Sequence, residues 1–381
     1  MTETKAEGSS EPRKESIIAH IKNSVFFEKR IDQLILRDQN NLDLVRLILA
    51  AMVIYGHAFS VTPHPDMGQD LVHKFTNLYA ASIAIKGFFM ISGLLVTYSL
   101  LRGGSIAKYA VSRFFRIWPA LIGVTLLMAL VIGPFLTKLP PSEYFSSAGL
   151  FTYIEKTIAL NNWGGQALGH YDLPGVFENN AFAKNVNAPL WSIAAEVFCY
   201  IILALVFATG GLNRWVATAM FVLIIVDGLV PQKIIFFWLP QSSTDFSLLP
   251  FCFALGALFA IWRDKFVVGF WQTFGLVGLA FYFQNAVFGD MLSHAAVFAC
   301  ILYVAGLPWV LKLTVPVDIS YGVYLYGWPV QQVYNQFFPN SPHIIAVPTC
   351  MLGAALLGAM SAYLIERPAM KVGRSVSKSI K

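Results

Sequence analysis

The chain has 381 residues, 56% of them hydrophobic and only 13% charged, with a mean hydropathy of +0.61 and a formal net charge of +6. Soluble domains carry about 25% charged residues, so this composition excludes a water-soluble globular enzyme. It describes an all-α polytopic membrane protein with room for about ten spans of ~20 residues and no large soluble domain, and its basic excess needs no nucleic-acid partner once positive-inside topology is considered.

In chain order, residues 1–40 are polar and lack an early apolar core, which reads as a cytoplasmic start and not a signal peptide. KAEGSSEPRKES suggests a disordered tip, and IKNSVFFEKRIDQLILRDQ an amphipathic helix on the inner leaflet. Ten spans are predicted at 43–61, 78–101, 116–136, 189–208, 214–230, 247–262, 266–283, 293–311, 319–338 and 343–365, with a weaker apolar stretch at 148–160. One side of that topology holds 20 of the 27 Lys and Arg residues, and the other holds Lys74, Lys138, Lys156, Lys184 and Lys233. The contrast places both termini in the cytoplasm. Residues 41–370 form the membrane domain, and 371–381 a basic cytoplasmic tail. Cys199, Cys252, Cys300 and Cys350 all fall inside spans, as buried thiols and not as a disulfide framework.

Span one carries Arg46 and His57 inside hydrocarbon, where an arginine at the span centre costs roughly 2.5–3.5 kcal/mol. Eleven residues at 100° each bring the two within ~20° of one stripe, ~16 Å apart along the axis. Asp43 lies one turn from Arg46. The stripe is a polar seam with a cation towards one face and a proton-transfer group towards the other, and ionisable groups at that depth mark functional interiors. Lys86 stands mid-span in span two and needs a partner, with Asp43 or Glu196 as the candidates. Before span three, SRFFRIWP sets Arg113 and Arg116 on one helix face. Two planar guanidiniums there suit a phosphate, although Arg and aromatic residues at a cytoplasmic helix end are what positive-inside anchoring produces in any case. The 139–188 loop is rich in Asn, Gly and aromatics, including Trp163, which suits sugar stacking or an ordinary folded cap. No pair of residues has metal-ligand spacing, so no metal is expected.

Arg46 and His57 with ten residues between them, Arg113-x-x-Arg116, WSIAAE at 191–196, ISYGVYLY at 319–326 and ERP at 366–368 together resemble the membrane acyltransferase 3 family over about residues 41–370. The resemblance implies a multi-pass protein of the bacterial inner membrane that moves an acyl group, most often acetyl, from cytoplasmic acyl-CoA to a hydroxyl of an extracytoplasmic saccharide. It implies donor contacts at Arg46, Arg113 and Arg116 and acceptor contacts at Trp191, Ser192 and Tyr321, and Trp163 in the loop is a further acceptor candidate by its aromatic character. Glu366 of the ERP motif joins Lys86 and Asp43 as a structural ion-pair candidate. One departure stands out. Many relatives read Tyr-Leu-Trp-His in span nine, whereas here Tyr324-Leu325 is followed by Tyr326-Gly327, so no second histidine is available.

Such a transfer needs a base or nucleophile and a cation for the oxyanion. His57 can serve as base or nucleophile, and Arg46, at the far end of the same seam, is a catalytic candidate with it. Glu196, at comparable depth in span four, is expected to orient the imidazole as the third member of a triad does. Two other classes fit the same composition, a glycan flippase and a non-catalytic scaffold of an envelope-polysaccharide complex. Membrane lipids are obligate neighbours, and the sequence leaves room for a homo-oligomer or glycan-synthesis partners.

Overall fold

The computed structural model describes residues 25–65, 67–76, 78–161, 171–230 and 248–380. Trp163, His170, Lys233 and the expected disordered tip therefore lie outside the described residues. Each predicted span coincides with a helix: α1 (Leu42–Val61), α2 (Ala80–Gly103), α3 (Ile106–Leu126, continued by Leu127–Ile132 and Gly133–Leu136), α5 (Trp191–Ala208), α6 (Arg214–Leu229), α7 (Leu249–Ile261), α8 (Phe270–Tyr282), α9 (Gly289–Gly306), α10 (Ser320–Phe337) and α11 (His343–Ser361). The stretch at 148–160 holds α4 (Ala148–Ile158), and α12 (Arg367–Ser379) follows α11 through Ala362–Glu366. Among the described residues, six helices are long and apolar enough to cross a membrane.

The chain divides into two units. The smaller, in its described residues, joins 25–42 to 262–314. The expected amphipathic helix begins outside the described residues, and its described part holds a strand, β1 (Glu28–Arg30), paired antiparallel with β2 (Val267–Gly269), and a short helix at Ile31–Leu34. Tertiary partners override the local pattern. Phe27 stacks on Tyr303 at 5.2 Å, Tyr303 donates to the Val25 carbonyl at 2.7 Å, and Ile31 and Leu34 are buried.

The larger unit holds the remaining described residues, and its helices meet at small residues. A Cβ added at Gly93 would stand 2.1 Å from the Phe253 carbonyl oxygen, and one at Gly256 would stand 2.0 Å from that of Met90. The backbones of α2 and α7 approach that closely only because both positions lack a side chain. Gly322 of α10 meets Gly358 of α11 in the same way. Ala50 and Ile54 of α1, Val323 of α10 and Cys350 and Ala354 of α11 form one buried cluster.

Pro329 inside α10 has no N–H, so the Leu325 carbonyl four residues earlier loses its helical donor. Asn187 fills that place from the preceding loop, donating its amide at 2.9 Å. Other loop contacts fall on the same helix. Asn180 donates to Gln332 at 2.8 Å, Gln332 donates to the Phe182 and Asn185 carbonyls at 2.7 Å, and the Trp328 indole donates to Asn185 at 3.1 Å. The loop asparagines are thus engaged with α10 and make residues 180–187 a folded cap.

Candidate functional site

Six elements of the larger unit enclose a cavity of about 440 Å³. Asp318, just before α10, is its electrostatic hub. Its carboxylate accepts from Arg116 at 2.8 Å, lies 3.8 Å from Arg46, and takes further bonds from the Ser320 amide at 3.0 Å and hydroxyl at 2.5 Å. Burial pushes this carboxyl up, but the Arg116 and Arg46 charges and the Ser320 hydrogen bonds outweigh it and hold the group below the usual carboxylate range. Arg46 also pairs with Asp43 at 3.4 Å, and Arg116 with Glu366 at 3.5 Å.

Local geometry explains how Glu366 arrives there. Residues Ala362–Glu366 are π-helical, and the wider turn brings a 2% exposed carboxylate to Arg116 and to the Ser361 hydroxyl at 3.2 Å. Two interior cations therefore face three carboxylates. Arg113, one turn before Arg116, differs. Its guanidinium donates to Ser112 at 3.0 Å and lies 5.8 Å from the Tyr200 ring, and among the described residues no carboxylate pairs with it.

Glu196 also lines the cavity. It accepts from Ser92 at 2.8 Å and from the Tyr200 hydroxyl, one helical turn along α5. The expected direct contact with His57 is not formed: among the described residues no hydrogen bond or ion pair joins them. The reason is placement. Glu196 faces the arginine-lined cavity, whereas the His57 ring meets Trp328 edge-on at 5.0 Å beside the Val61, Ala188 and Phe182 cluster, and His57 does not line the cavity.

Of the other predicted residues, Ser192 and Tyr321 line the cavity, with Ser192 bonded to Tyr324 at 2.6 Å and the Tyr321 hydroxyl donating to the Ile117 carbonyl at 3.0 Å. Trp191 opens α5 and is half-buried. Lys86 is 2% exposed and donates to Ser82 at 2.6 Å, away from the cavity lining. Gly327, standing where relatives carry histidine, packs on Ile54. A Cβ there would lie 2.8 Å from that side chain, so α10 meets α1 too closely for an imidazole.

Sequence reasoning missed Asp318, Ser92, Tyr200 and Arg374. The Glu196–Tyr200 spacing of i, i+4 was a readable signal. Nothing local marked the other three.

The acyltransferase domain family matches residues 39–364, most of the chain. This chain belongs to the acyltransferase 3 family. It is 26% identical over 340 residues to an O-acetyl transferase of Shigella phage Sf6, covering 86% of this chain and 95% of the relative. It is 27% identical over 378 residues to Nodulation protein 10 of Rhizobium leguminosarum bv. viciae, covering 89% and 95%. No solved structure matches. Family membership makes the chain a membrane acyltransferase, and Asp318 lies inside the matched region with Arg46, Arg116 and Ser320.

Proposed function

We propose that this protein transfers an acyl group, acetyl above all, from cytoplasmic acyl-CoA to a hydroxyl of an extracytoplasmic saccharide, across a bacterial inner membrane. The observation that carries the reading is the cavity itself. Its inner cations are neutralised by Asp43, Asp318 and Glu366, while Arg113 keeps its charge for an anion. The O-acetyl transferase relative supports acetyl as the group moved.

In this reading the donor enters at Arg113 and its thioester arm runs along the seam that α1 draws from Arg46 towards His57. His57 takes the acceptor hydroxyl proton as the new C–O bond forms and the C–S bond breaks, the thiolate leaving with the electron pair; an acyl group carried on His57 is the two-step version. Arg46, at the other end of that seam, lines the passage the donor arm takes. Glu196, bonded to Tyr200 beneath Arg113, belongs to the donor side. Ser192 and Tyr321 shape the wall between the two substrates, with Trp191 and Trp163 left as acceptor contacts.

Purified protein given radiolabelled acetyl-CoA and a saccharide acceptor tests this. Label should pass to the acceptor, and His57→Ala should reduce transfer about 10²–10⁴-fold with an unchanged melting curve. Retention of more than a tenth of wild-type turnover would remove His57 from the chemistry, and glycan movement without label transfer would make the chain a transporter.

A further inference from the structure

The C-terminal helix α12 contributes Met370, Gly373, Arg374 and Ser377 to the cavity wall. These are positions i, i+3, i+4 and i+7, one continuous stripe of a helix. The stripe is seated firmly on α3. A Cβ at Gly373 would stand 2.8 Å from Phe115, so the helix lies against the turn that carries Arg113 and Arg116. A basic amphipathic helix at the end of a membrane protein is ordinarily read as an anchor to the inner leaflet. An anchor has no need to line an internal cavity.

The charge balance separates the four arginines of this wall. Arg46 and Arg116 are each held by two carboxylates. Arg113 and Arg374 have no carboxylate partner among the described residues, and they reach the cavity from different helices, α3 and α12. An arginine already bridged by carboxylates must give up those bonds to take another anion, whereas one facing open space takes it directly.

We propose that Arg113 and Arg374 together form the anion site for the phosphate-bearing end of the donor, and that Arg116 instead holds the wall through Asp318 and Glu366. The helix α12 is then part of the donor site. This rests on the reading of acyl-CoA as donor, and it adds a ligand from a part of the chain beyond the matched family region.

Calorimetric binding of CoA, dephospho-CoA and pantetheine to the full-length purified protein decides the matter, in neutral detergent and again in nanodiscs containing anionic lipid. Arg113→Ala and Arg374→Ala should each weaken CoA binding tenfold or more, the loss expected for one charge-assisted contact, and leave pantetheine binding unchanged. Arg374→Lys should recover part of the loss. Lys378→Ala, ~40° further round the helix and outside the cavity lining, should bind CoA as wild type does. Wild-type affinity in Arg374→Ala, or an equal loss in Lys378→Ala, overturns the proposal while the donor reading stands. A loss seen only with anionic lipid assigns Arg374 to a lipid headgroup and overturns it too. Failure of the wild-type protein to bind CoA at all removes the donor reading itself.

Discussion

A single carboxylate, Asp318, serves two guanidiniums from helices far apart in the chain. Removing it leaves Arg46 with Asp43 alone and Arg116 with Glu366 alone, two guanidiniums beside one another in a mostly buried wall, where breaking a buried pair costs about 3–5 kcal/mol. Asp318→Asn should therefore lower unfolding stability by about 3 kcal/mol, read from denaturation in detergent. Because the native carboxyl is held below its usual value near 4, its contribution is complete above that pH and is lost as pH falls through the native pKa. The stability gap between wild type and Asp318→Asn should stay constant between pH 5 and 8 and close only in acid. A gap that closes near neutrality would show that Asp318 is not ionised by its arginine partners.

At the scale of elements, glycine pairs decide how closely helices approach. Gly256→Ala would place a methyl group against the Met90 carbonyl oxygen, 2.0 Å from the new carbon. Backbone cannot rotate away as a side chain can, so α2 and α7 must separate. The expected cost is at least the 1–3 kcal/mol typical of overpacking, visible as a lower melting temperature, and since Ser92 on α2 holds Glu196, turnover should fall as well. Full stability in Gly256→Ala would mean that the crossing is looser than described. The cap over α10 behaves differently. Asn187→Leu leaves the Leu325 carbonyl, already deprived of its helical donor by Pro329, without a partner, at a cost of about 1–3 kcal/mol.

At the scale of the molecule, helices fall at all ten predicted positions among the described residues, and six of them are long and apolar enough to span a bilayer. Ten crossings require the 137–187 region and the C-terminus to face opposite sides. Cysteines introduced at Lys156 and Lys378 test that directly, since three of the four native cysteines are buried and Cys300 is partly so. A membrane-impermeant thiol reagent should label position 156 in spheroplasts and position 378 only after permeabilisation. Labelling of both from one side would break the alternation on which the proposed vectorial transfer depends.

The sequence by itself determined the membrane class, the places of the ten apolar helices and the family. All of these follow from local periodicity, residue spacing and the cost of charge in hydrocarbon. It also showed that buried ionisable residues needed partners, without showing which. Only the tertiary structure decided that Arg116 bonds Asp318 across 202 positions and Glu366 across 250, that Glu196 turns to Ser92 and Tyr200 in place of His57, and that Arg374 reaches the same cavity. A helix periodicity fixes which face a residue occupies. It carries no information about which distant helix covers that face, because the pairing is set by backbone approach at residues such as Gly93, Gly256 and Gly373.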